Sequence, residues 1–140
     1  MAVKTYDPKQ VQLIIGGAPI GGFADGEFIS VERDEDTFTK VAGADGEVSR
    51  SKSNNKMGEL TVTLLQTSAS NAILSAFMLA DELSNSGVIP IFIKDSLGTT
   101  TLFSAEGWVK KPPAVSYDKE LTDREWTFDL ANVDIFVGGN

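Results

Sequence analysis

The sequence predicts a mainly β fold, with two packed antiparallel sheets forming a sandwich or barrel and one flanking α-helix. Three observations carry this. Apolar and polar residues alternate over most of the chain, the signature of half-buried strands. Turn dipeptides such as Asp25-Gly26 and Asp45-Gly46 punctuate the alternating runs. Only one segment shows a period near 3.6.

The elements follow in order. Val11, Leu13 and Ile15 alternate with Gln10 and Gln12, giving a strand over residues 10–15. The glycine-rich run at 16–22 that follows reads as a flexible turn. Beyond Asp25-Gly26, Ile29 and Val31 face one way and Ser30 and Glu32 the other, a second strand. Thr37-Phe38-Thr39-Lys40-Val41 gives a third. Residues 47–58 are polar and locally basic, with almost nothing to bury, and read as an extended loop that is either mobile or a contact arm. Alternation resumes in Glu59-Leu60-Thr61-Val62-Thr63-Leu64, an amphipathic strand.

Ser70 is placed to cap a helix over residues 71–83, whose apolar stripe of Ile73, Leu74, Phe77, Ala80 and Leu83 would cover the core. Gly87 lies where a left-handed closing residue is expected. Residues 88–93 are apolar on both faces and read as a buried strand, with Pro90 at its start or on an edge. Asp95-Ser96-Leu97-Gly98 turns the chain into a partner strand over 101–110, which Lys111-Pro112-Pro113 ends. In the last strand Trp126, Phe128 and Leu130 share one face, whereas Val133, Ile135 and Val137 have the opposite parity. That switch predicts a bulge or bend near Ala131-Asn132, as when a strand passes between sheets.

At 140 residues the chain is sized for a single domain, 1–140. It has no His and no Cys, which excludes Ser-His-Asp and Cys-His nucleophilic sites, structural zinc, iron–sulfur clusters and disulfides. Neither a membrane-length apolar run nor the apolar core of a signal peptide is present, so the expectation is synthesis in a cytosol, a host's included, with no membrane anchor. The net charge of −8 reads either as a solubility margin or as charge placed to repel a polyanion, and it disfavours a conventional DNA-binding surface.

Little remains for chemistry. Glu32-Arg33-Asp34-Glu35-Asp36 could offer oxygen ligands to Ca²⁺ or Mg²⁺ but lacks an EF-hand pattern and sits between two strands, so it reads rather as a solvated turn or rim charge. The glycine-rich segment matches neither a P-loop nor a dinucleotide fingerprint. Ser49, Ser51 and Ser53 flank Lys52 without a desolvated amine beside a hydroxyl. The chain is therefore expected to be no enzyme, with no catalytic residue, metal site or cofactor. Strands with polar outer faces, a basic arm and glycine-rich ends instead suit subunits that pair edge to edge in a closed ring.

Several stretches resemble the tail tube proteins of tailed, mainly contractile, bacteriophages. They are Gly46-Glu47-Val48-Ser49-Arg50-Ser51 with Asn54-Asn55, the run from Gly58-Glu59-Leu60-Thr61 through Ala69-Ser70-Asn71, Ile93-Lys94-Asp95-Ser96-Leu97-Gly98, Lys111-Pro112-Pro113 and Arg124-Glu125-Trp126. The resemblance spans residues 7–137. It implies a structural virion protein forming hexameric rings stacked into a tube whose lumen conducts the genome into the host. Its partners would be further copies of itself and the tail sheath, baseplate and terminator proteins, with DNA passing through unbound. Readings of other kinds remain: a ring-forming baseplate or tail component, a tube subunit of a bacterial injection device, or a non-catalytic ion- or carbohydrate-binding β domain.

DNA carries about one charge per 1.7 Å of duplex, so a cationic wall would hold it and an acidic or neutral wall would let it slide. The residues expected to face the lumen are Ser30, Glu32, Glu59, Thr61, Thr63, Glu125, Thr127 and Asp129, whose strands turn apolar positions the other way. Each is otherwise an ordinary solvent-facing strand residue. The arm of Ser49, Arg50, Ser51, Lys52, Ser53, Asn54, Asn55 and Lys56 would contact the acidic surface of a neighbouring subunit or ring.

Overall fold

The computed structural model describes residues 3–140. Met1 and Ala2, at the head of the segment read for leader character, lie outside the described residues. A 3-10 turn at Pro8–Gln10, opened by Asp7 accepting a bond from the Lys9 amide, leads into the first strand. The strands are β1 (Val11–Ile15), β2 (Ala18–Ile20), β3 (Ile29–Arg33), β4 (Phe38–Ala42), β5 (Val48–Lys52), β6 (Gly58–Leu65), β7 (Ile89–Asp95), β8 (Thr101–Lys111), β9 (Asp123–Leu130) and β10 (Asp134–Phe136). The helix α1 spans Ser70–Ser84, between β6 and β7.

The two antiparallel sheets are unequal. One has eight strands in the order β2-β1-β7-β8-β9-β6-β3, with β10 paired to β8 beside β9; the other is the β4-β5 hairpin alone. Strands from both ends of the large sheet share one core, in which Leu13, Ile15, Ile20 and Ile91 from one wing join Leu60, Val62, Leu64, Phe128 and Leu130 from the other. The packing of layer on layer is thus achieved by one bent sheet, with Leu74 of α1 and Val133 completing the interior. Phe128 is fully buried, and truncating such a side chain typically costs about 3–5 kcal/mol.

Local details differ from the sequence expectations. Residues 48–52, assigned to a loop, form β5, because β4 supplies a ladder: Lys40 pairs with Arg50 and Thr39 with Ser51. Of the expected loop, only Glu47 and residues 53–57 are irregular. The glycine-rich segment contains β2, since Gly16 and Gly17, both with positive φ, make a tight turn that returns the chain along β1. Asp25-Gly26 is a bend, and β3 pairs with β6 rather than with the strand before it.

The helix starts at Ser70, with Ala69 in the capping position and no side-chain cap. The Ser70 hydroxyl instead accepts from the Gly21 amide at 2.9 Å, tying the helix start to the turn after β2. Asn85, not Gly87, takes the left-handed conformation at the helix end, with φ 55°; asparagine tolerates it better than most residues. Leu83 is exposed and lies off the covering stripe. The bend expected near Ala131-Asn132 is present between β9 and β10, and buried parity moves from Leu130 to Val133. The chain does not change sheets there: β9 and β10 both pair with β8. Among the described residues no helix is long and apolar enough to cross a membrane.

Candidate functional site

The eight residues expected on a common polar face are brought together by the register of three strands. Ser30 of β3 lies opposite Thr61 of β6, which lies opposite Thr127 of β9. In the next row Glu32, Glu59 and Asp129 are neighbours, and on the other side Thr63 pairs with Glu125. Directly paired residues point to the same side of a sheet, so all eight share one face. The reverse face of β6 and β9 carries Leu60, Val62, Leu64, Trp126, Phe128 and Leu130, each buried. Burial thus fixes the orientation of the polar side: a slip by one residue would put three carboxylates into the core.

The fourth strand, β8, adds residues that sequence reasoning missed. Trp108 pairs with Asp129 and Lys111 with Thr127, with a register irregularity between Val109 and Lys111. The intervening Lys110 donates from Nζ to Glu59 Oε2 at 3.1 Å and stands 4.0 Å from Asp129 Oδ1. Its pKa is raised above the ordinary lysine value, first by the hydrogen bond with Glu59 and then by the charges of Glu59 and Asp129. Four carboxylates (Glu32, Glu59, Glu125 and Asp129) therefore meet two lysines, and the face is mildly rather than strongly acidic. The Lys110 contact depends on a bulge, which no alternation pattern reveals. Ser30, Glu32, Arg33, Asp34, Glu59 and Thr61 border a shallow depression of about 350 Å³ on this face.

The same strands present unused hydrogen-bonding edges. On β3, the Thr63 amide bonds to the Phe28 carbonyl and the Asp34 amide to the Met57 carbonyl, so the even-numbered residues bond toward β6. The backbone groups of Ile29, Val31 and Arg33 point to the open side. On β8, pairing with β7 stops at Gly107, leaving one edge of residues 108–111 open. The four-stranded polar segment β8-β9-β6-β3 therefore has an open edge at each side.

The basic arm is divided by the structure. Arg50 and Lys52 lie on β5, where the Arg50 guanidinium sits 4.2 Å from the Phe38 ring centre and Lys52 pairs with Phe38. Ser49 and Ser51 are on the same strand, and every residue of β4 and β5 is exposed. Ser53 donates to Glu35 Oε2 at 3.0 Å, and Asn55 accepts from the Met57 amide in a tight turn. Asn54 is exposed. Lys56 belongs elsewhere: its Nζ is 3.6 Å from Asp134 of β10.

The acidic run around it is dispersed. Glu32 faces the polar side, Arg33 donates to the Val133 carbonyl at 2.6 Å, and Glu35 holds Ser53. Among the described residues no group of three or more carboxylates converges as a metal site would require.

Comparison with known proteins gives the family and the fold. The model of the bacteriophage PhiTE tail tube protein family matches residues 16–138. Structural protein ORF10 of Pseudomonas phage KPP10 is 34% identical over 144 residues, covering 97% of this chain and 83% of that protein. Three solved structures share the fold at low identity. The tube-terminating cap of the anti-feeding prophage has a TM-score of 0.65 at 12% identity, covering 97% of this chain and 94% of its own. The sheath/tube terminator of the PVC extracellular contractile injection system gives 0.64 at 12%, covering 98% and 100%. The sheath–tube complex of the same system gives 0.62 at 11%, covering 94% and 91%. On the family match and the phage relative together, the chain belongs to the bacteriophage PhiTE tail tube protein family.

Proposed function

We propose that this structural phage tail protein assembles into closed rings, six subunits in each, that stack into a tube. The polar face of β8-β9-β6-β3 lines the channel through which DNA leaves. The observation that carries the reading is the combination of a one-sided polar face with an open edge at each side. Strand directions alternate across these four strands, so the open edge of β3 can accept the open edge of β8 from the next subunit in antiparallel fashion. This contact is heterologous, and repetition around an axis closes a ring without leaving a free edge. The core then lies outside the polar face, as burial on the reverse side requires.

The wall so formed suits passage rather than binding. Four carboxylates against Lys110 and Lys111 leave each subunit's face net negative, which repels phosphate, and Lys110 is already engaged by Glu59. Sheath, baseplate and terminator proteins are the expected partners at the outer wall and the ends, and the virion is the expected location after synthesis in the host cytoplasm. The exposed β4-β5 hairpin, bearing Lys40, Arg50 and Lys52, would reach the acidic surface of the adjacent ring and set its register.

Electron microscopy of the purified chain tests the reading. Tubes or rings of uniform diameter are expected. Val31→Pro removes an amide on the open edge of β3 without touching the ladder to β6, so it should leave a folded monomer that no longer closes rings. Normal rings from that variant would overturn the proposed edge. Single rings of the unmodified chain that never elongate would instead assign it to a tail terminator or baseplate ring.

A further inference from the structure

On the reverse side of β9, beside α1, lies a cleft of about 470 Å³ whose floor includes Arg124 and Trp126. Met78 of α1 lines one side, and Pro113, Val115 and Tyr117 of the connector after β8 line the other. The walls are tied in place. Trp126 Nε1 donates to Asn71 Oδ1 at 3.0 Å, and the Thr122 amide donates to Gln66 Oε1 at 3.1 Å.

Arg124 is unusual in this setting. It is only 6% exposed, yet among the described residues no carboxylate is within ion-pair distance. Nη1 donates to Thr122 Oγ1 and the Asp123 carbonyl, and Nη2 donates to the Ser116 carbonyl. These partners satisfy donors but carry no formal charge, and Nε–H, which has no partner among the described residues, is accessible from outside rather than buried. The Tyr117 ring, 5.5 Å from the guanidinium carbon, is itself largely exposed. A buried cation with no counter-charge is costly, and a carboxylate is the group whose geometry fits a guanidinium fork.

We propose that this cleft docks an extended segment of another protein, one that carries a carboxylate flanked by apolar side chains. The carboxylate meets Arg124, and the flanking groups cover Met78, Pro113, Val115 and Trp126. The placement of the occupant outside the tube rests on the function proposed above, because the cleft opens on the face opposite the channel side. A protein enclosing the tube would supply such a segment, and an open cleft before assembly would let it add after the rings have formed.

The test is a titration of the full-length chain with acetyl-Leu-Glu-Leu amide, followed by nuclear magnetic resonance of the Arg124 Nε–H and Trp126 indole N–H. Saturable shifts with a Kd of about 1 mM are expected for so short a peptide, and binding at least about tenfold weaker for acetyl-Leu-Gln-Leu amide. Equal response to the two peptides, or none at about 10 mM, would overturn the proposal. Arg124→Lys should weaken the glutamate peptide by losing the fork while keeping the charge; the comparison of peptides on the unmodified chain stands even if that variant folds poorly. Self-association lost in Arg124→Lys but retained in Val31→Pro would assign the cleft to a second copy and overturn the choice of partner. Ring formation is read separately by microscopy, so failure of either result leaves the other interpretable.

Discussion

The large sheet and the β4-β5 hairpin are built from similar local material and end in opposite situations. β6 alternates buried and half-buried residues along its whole length, whereas all residues of β4 and β5 are exposed, Val41 at 69% and Val48 at 68% among them. Each has β-formers, a ladder and a turn. The difference is that β6 has a core to face and neighbours on both edges, whereas the hairpin has only itself. An isolated two-stranded hairpin is marginal in water, so the hairpin is the part of the fold with most to gain from the proposed contact with the adjacent ring.

The comparison breaks most clearly in the core. Phe128→Ala should destabilise the chain by about 3–5 kcal/mol in denaturant unfolding, whereas Val41→Ser with Val48→Ser should stay within about 0.5 kcal/mol of the parent. A hairpin variant as damaging as the core variant would show that β4-β5 packs on its own subunit.

Next, Trp126→Phe should cost about 1–2 kcal/mol through the bond lost to Asn71, measured by the same unfolding curve. Arg50→Ala with Lys52→Ala should shorten or abolish tubes under the microscope while leaving the melting temperature unchanged. Lys56→Ala, whose partner is Asp134 on the main body, should affect tubes less. Equal effects would reunite the arm that the structure divides.

The smallest effect is the pH dependence of Lys110. Its pKa is raised in the folded state above the ordinary 10.5, so its contribution is complete below that value and is lost as pH climbs through the raised one. Lys110→Met should therefore flatten a stability profile only in strongly alkaline solution. A change in the slope of that profile near neutral pH would sink this account of the contact.

Much of this was legible locally. The eight polar-face residues could be read from alternation alone, because a strand with one apolar face must turn its other face away from the core. The bend at Ala131-Asn132 followed from parity in the same way. The helix ends were less legible: Ser70 looked like a cap but bonds to the distant Gly21 amide, and Asn85 closes the helix before Gly87 is reached. β5 has the sequence of a loop because Val48-Ser49-Arg50-Ser51-Lys52 has little to bury, and its ladder with β4 is a pairing between segments rather than a property of either.

By itself, then, the sequence determined the β class, the single helix, the faces of the strands and the absence of His and Cys chemistry, all of which depend on residue type and short-range period. Only the tertiary structure decided which strands are neighbours, that one bent sheet encloses the core, that Lys110 engages Glu59, and that Arg124 is buried without a carboxylate. Those outcomes depend on contacts between residues far apart in the chain, where register and bulges set the distances and no local pattern records them.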